Sequence, residues 1–123
     1  MVNHLAPFVI NRALADLFAA NRARVVQISA GLYIAGMKDY AATAAGDNFS
    51  LMKTYATTKL LNLIATMRFA ELWRDAGVTL NAIHPGVVNT GLGEMKGPAG
   101  ILLGLVKKLW LRPSEGAAAP VRL

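Results

Sequence analysis

The chain contains no cysteine, which excludes a disulfide framework and any thiolate metal site. Its two histidines, His4 and His84, have no carboxylate cluster beside them and fall short of a metal-ligand set. Aromatic residues are few (7%) and do not alternate with basic ones, so the base-stacking platform of a nucleic-acid binder is missing. No apolar run nears the ~20 residues a membrane-spanning helix needs, and Ile101–Val106 stops far short of it. The N-terminus lacks the basic region, long apolar run and small-residue cleavage site of an export signal, which points to the cytoplasm.

What is present is apolar and sparsely charged: 54% hydrophobic and 16% charged over 123 residues, the make-up of one globular domain or part of one. The net charge of +6 is spread thinly, with six basic and three acidic residues up to Asn62, then seven and four. The local excess lies in Met95–Leu123, where five basic residues face one acidic residue. A solvated or membrane-facing surface accounts for it better than nucleic acid does.

Leu5 to about Ala20 reads as a helix with Leu14, Leu17 and Phe18 on one side. Arg24–Ser29 and Val78–His84 are short and β-branched, the composition of buried strands. Ala30–Phe49 shows no sustained period and is expected to be a functional loop. Ser50–Gly77 reads as a long helix, capped by Ser50, stopped by Gly77, with Leu60, Leu63, Ile64, Met67 and Ala70 on its apolar face. Strand, crossover helix, strand is a right-handed parallel βαβ unit. Pro113-Ser114-Glu115 opens a last helix with Ser114 as its cap. Two strands do not complete a parallel sheet, which needs several covered on both faces. The chain is therefore expected to be a single partial α/β domain over residues 1–123.

Within the long helix, Tyr55-Ala56-Thr57-Thr58-Lys59 sets a phenol and an ammonium four residues apart on one face. A phenol titrates near ~10, so acid/base work near neutral pH asks its surroundings to stabilise the anion by about 4 kcal/mol. A cation one turn along can supply much of that.

Four segments in order carry a resemblance: Val2-Asn3-His4-Leu5-Ala6-Pro7-Phe8, Arg24-Val25-Val26-Gln27-Ile28-Ser29, Tyr55-Ala56-Thr57-Thr58-Lys59 and His84-Pro85-Gly86-Val87-Val88-Asn89-Thr90. Together they resemble the short-chain dehydrogenase/reductase family, in its retinol-dehydrogenase-like branch, over the middle-to-late part of a member. The resemblance implies a partial Rossmann-type doubly wound parallel sheet, a βαβ core with flanking helices, and NAD or NADP as cofactor. It implies a hydride transfer between nicotinamide and an alcohol or carbonyl substrate. Tyr55 would be the general acid/base, and Lys59 would lower its pKa and hold the nicotinamide ribose. Asn3 would help seat Lys59 through a water, and Pro85, Gly86, Val88 and Thr90 would contact the nicotinamide side of the cofactor. Pairing of subunits through the two long helices is a further implication.

Two departures accompany it. The family's first strand ends in two serines, the second bonding the substrate oxygen; here the pair is Ser29-Ala30. Alternation points Ser29 to the other face, so impaired catalysis is expected. The glycine-rich nucleotide loop is also missing from the sequence. Gly91-Leu92-Gly93-Glu94-Met95-Lys96-Gly97 has its third glycine one residue late and follows a proline turn, so it reads as a mobile loop. The isolated chain is thus expected to be weak or inactive. Ile101–Leu111, with Lys107 and Lys108, is expected to be a substrate lid in preference to a membrane contact. The alternatives are a non-catalytic fragment that associates with full-length relatives and, with less support, a basic amphipathic membrane-surface module.

Overall fold

A computed structural model of the chain describes residues 2–37, 39–89 and 110–122. The chain divides into two compact units, Met1–His84 and Pro85–Leu123.

In the first unit, β1 (Arg24–Ile28) and β2 (Thr79–Ile83) pair in parallel, with Arg24 opposite Thr79 and Ile28 opposite Ile83. This is the expected βαβ unit, with each strand slightly shorter than the sequence implied. The single helix expected over Leu5–Ala20 is instead α1 (Val2–Ala13) and α2 (Ala15–Ala20), separated where Leu14 leaves helical dihedrals (φ −98°, ψ 7°). After the break, Phe18 lies edge-on to Trp73 at 5.9 Å. Asn21 ends α2 by donating to Leu17 O, and Arg22 turns the chain at φ +46°.

Ala30–Phe49 is not irregular throughout. A 3-10 turn covers Gly31–Ala35 and α3 covers Tyr40–Ala45. Asp39 caps α3 by accepting from Ala42 N at 3.1 Å, and Gly46 closes it at φ +92°. These elements are too short to leave a period in the sequence.

The long crossover helix, α4, runs Leu51–Leu72, and Gly77 (φ +72°) ends the turn that follows it. Ser50 stands at the N-cap without a side-chain cap bond, while its own N–H donates to Thr54 Oγ1. The expected apolar face is not the buried one. Ile64 and Met67 are exposed, Met67 by 62%, and the buried positions are Ala56, Thr57, Thr58, Asn62, Thr66 and Phe69. The hydroxyls of that face are satisfied: Thr57, Thr58 and Thr66 donate to Lys53 O, Tyr55 O and Asn62 O. Thr57 Oγ1 also accepts from Met37 N at 2.8 Å, tying the segment after β1 to α4. Back-bonding of this kind hides a hydroxyl inside its own helix and lets threonine fill an apolar position. Periodicity in hydrophobicity cannot see it.

The apolar anchor of the unit is aromatic. Phe69 stacks on Trp73 at 4.7 Å and meets the Phe8 ring of α1 at 5.3 Å.

In the second unit, Val88 bridges Leu111 in parallel, with Asn89 N donating to Leu111 O and Leu111 N to Val87 O. Helix α5 follows at Pro113–Arg122. Its start is satisfied by Glu115, whose carboxylate accepts from Arg112 N at 2.6 Å; Ser114, expected as the cap, lies inside the helix. Pro113 suits the first helical position because no helical bond is lost there.

Phe69→Ala is expected to lower unfolding free energy by about 3–5 kcal/mol, measured by urea titration. A loss below about 1 kcal/mol would show that the three rings are not the anchor of the first unit.

Candidate active site

Helix α4 carries Tyr55 and Lys59 one turn apart, and Lys59 Nζ lies 5.7 Å from the centre of the Tyr55 ring. Both side chains are half-buried. Tyr55 borders an open pocket of about 250 Å³, together with Asn3, Phe49, Leu51 and Thr58. The pocket brings Asn3 of α1 and Tyr55 of α4 to the same place, although 52 positions separate them (55 − 3).

Lys59 Nζ donates to Ile28 O at 3.1 Å. Ser29 N, in the same planar peptide, donates to Ile83 O of β2, so the Ile28 carbonyl points the opposite way, to the outer edge of β1. The ammonium therefore sits at the carboxyl end of a parallel strand, where open α/β sheets take their ligands. Burial lowers the Lys59 pKa from its ordinary 10.5.

The Asn3 carbonyl accepts from Asn62 Nδ2 at 2.7 Å. Ala30 is extended (φ −149°, ψ 145°) and accepts from Tyr33 N through its carbonyl. Ser29 is 8% exposed, and among the described residues its Oγ has no hydrogen-bond partner. Continuation of the ladder sets Ser29 opposite His84, whose ring packs against Gly31. Ser29, Gly31 and His84 therefore share the face opposite to Ala30.

In the second unit Gly86 has φ +83°, and a Cβ there would come within 2.6 Å of Leu111 Cδ1. The bare backbone is required twice over, by dihedral and by space. Val88 takes part in the bridge to Leu111, and the Pro85 carbonyl lies near Gly116. Thr90, the Gly91–Gly97 loop and most of Ile101–Leu111 lie outside the described residues. Among the described residues no helix is long and apolar enough to cross a membrane.

Asn62 and Thr57 were not singled out from sequence. The signal for Asn62 is a carboxamide inside the apolar run Leu60-Leu61-Asn62-Leu63-Ile64.

Human "Dehydrogenase/reductase SDR family member 13" is 34% identical over 128 residues, covering 98% of this chain and 33% of the relative. Retinol dehydrogenase 13 of human is 31% identical over 126 residues, covering 97% of the chain and 38% of the relative. The chain belongs to the short-chain dehydrogenase/reductase family. Mouse retinol dehydrogenase 14 is 31% identical over 94 residues, 76% of the chain and 28% of that relative. The chain thus spans about a third of the length of the curated relatives it matches. No family model and no solved structure matches it. Within the family, the two-stranded parallel sheet and its crossover helix are compatible with part of a Rossmann-like fold.

The depressed Lys59 pKa has a thermodynamic sign. Below its folded-state pKa the buried ammonium opposes folding, and the penalty fades as pH climbs toward 10.5, because there the unfolded chain binds the extra proton. Wild type should gain stability relative to Lys59→Met as pH rises through that window, followed by thermal melts. A wild type that loses stability relative to Lys59→Met as pH rises would contradict the burial of Nζ.

Proposed function

We propose that this chain is part of an NAD- or NADP-dependent oxidoreductase that interconverts an alcohol and a carbonyl compound. Support for the general class comes from relatives named as dehydrogenases. The observation that carries the assignment of roles is the placement of Lys59 Nζ 5.7 Å from the Tyr55 ring centre and 3.1 Å from the carbonyl at the end of β1.

Two features fit a nicotinamide cofactor. One is a half-buried ammonium at the carboxyl end of a parallel strand. The other is the Pro85-Gly86 turn that follows β2, with Gly86 at positive φ. Lys59 would hold the ribose, and Pro85, Gly86, Val88 and Thr90 the nicotinamide side. Bound there, the cofactor supplies or takes the hydride. Tyr55 gives its phenolic proton to the substrate oxygen in reduction and removes it in oxidation. Lys59 stabilises the phenolate between those events, favoured by the weak solvent screening of a half-buried cation. Asn3 and the apolar wall of Phe49 and Leu51 shape the pocket around Tyr55, which suits an apolar substrate. Ala30 supplies no hydroxyl to the substrate oxygen. Ser29 cannot replace it, because its side chain lies buried on the other face. A cytoplasmic setting, with Ile101–Leu111 serving as a substrate lid, completes the reading.

In the full-length protein, Tyr55→Phe should abolish turnover while leaving cofactor Kd unchanged, measured by steady-state kinetics and fluorescence titration. Ala30→Ser should raise kcat, by up to ~10²-fold if the added hydroxyl is a full donor to the substrate oxygen. Full activity in the phenylalanine variant would remove Tyr55 from the chemistry.

A second reading rests on the exposed Ile64, Met67 and Leu72 of α4: association with a second copy or a longer relative through α1 and α4. Met67→Lys should then shift the mass measured by light scattering to that of a monomer. An unchanged mass would set the reading aside.

A further inference from the structure

Pro7 stands inside α1, where its nitrogen has no hydrogen to donate to the carbonyl four residues back, that of Asn3. That carbonyl is not left bare, because Asn62 Nδ2 donates to it at 2.7 Å. The other end of the same carboxamide, Oδ1, meets His4 Nδ1 at 2.9 Å, with Nδ1 as the donor. Asn62 is 3% exposed, so water does not compete for either bond.

No residue of α1 is itself buried, so apolar burial does little to fix its first turn. Two hydrogen bonds to one carboxamide fix it better: they reach adjacent residues, and so set both the height and the rotation of the turn. On α4, Asn62 lies one turn beyond Thr58 and two beyond Tyr55, on the same face. Asn3, Thr58 and Tyr55 border the same pocket.

We propose that Asn62 is a positioning residue: its carboxamide docks the first turn of α1 on α4 and so places Asn3 beside Tyr55, with Pro7 reserving the Asn3 carbonyl for it. The proposal rests on Tyr55 being the acid/base group. A helix without the proline would spend that carbonyl on its own ladder. A leucine at position 62 would leave it, and the His4 imidazole, without that partner.

Two variants test this. Asn62→Leu is combined with Pro7→Ala, which gives residue 7 an N–H that satisfies the Asn3 carbonyl within α1 and protects the fold. Asn62→Asp keeps an acceptor for His4 and loses the donor to Asn3. Folding is checked by circular dichroism, tyrosine ring resonances are read by NMR without cofactor, and oxidation of octanol is followed with NAD and with NADP. In folded variants the Tyr55 resonances should move, and kcat should fall about 10- to 100-fold with KM little changed, the cost of a misplaced group near the chemistry. Folded variants with unmoved Tyr55 resonances would overturn the proposal and leave Asn62 a packing residue. If Tyr55→Phe keeps the wild-type rate, the acid/base reading fails; in that case, or where the isolated chain shows no turnover, the resonances alone decide the placement by Asn62.

Discussion

The first unit depends on a helix that buries hydroxyls and an amide where a sequence reader expects leucines. Helix α4 turns Thr57, Thr58, Asn62 and Thr66 inward, and each polar atom has a partner close at hand. A buried polar group without a partner costs about 1–3 kcal/mol, so such a face is tolerable only when every member is satisfied. Satisfaction then becomes specificity. Thr57 accepts one particular N–H, that of Met37, and Asn62 accepts one particular turn of α1. An apolar stripe would have let both neighbours slide; directional bonds do not.

That specificity extends to Tyr55 and Lys59, which belong to the same helix. Its buried side fixes rotation about the helix axis, so the phenol and amine inherit their directions from Thr57 and Asn62. Lys59 shows the same economy in its bond to Ile28. That carbonyl faces the outer edge of β1, away from β2, and an unpaired edge carbonyl is an acceptor available to any donor long enough to reach it. The four-carbon stem of lysine reaches. The price is partial desolvation, which lowers the pKa of the amine. An ammonium in this position is screened less by water.

What could be read in the sequence was local. Tyr55 and Lys59 share a face because four residues make about one turn, whatever the helix packs against. Strands β1 and β2 announced themselves through Val25, Val26 and Ile28 and through Leu80 and Ile83, and the Pro85-Gly86 stop fell where the second strand ends. What could not be read was relational. The orphan carbonyl that Pro7 leaves on Asn3 is visible in the sequence, but its partner lies 59 residues away (62 − 3) and no spacing rule links them. The buried face of α4 was misread for a related reason: Ile64 and Met67 outrank Thr66 and Asn62 in hydropathy, and only the hydrogen bonds reverse the order. The break at Leu14 had no glycine or proline to mark it.

Ser29-Ala30 joins the two levels. In an extended segment neighbouring side chains leave on opposite sides, so a serine at 29 and a serine at 30 are not alternatives for one job. Ser29 spends its burial on a hydroxyl with no partner among the described residues, facing the side of Gly31 and His84. Moving it to the other face would take a one-residue slip of β1, which would also invert Val25, Val26 and Ile28. The hydrogen bond from Ser29 N to Ile83 O at 2.8 Å opposes that slip. The side chain at 30 is therefore a methyl by sequence and stays one by register.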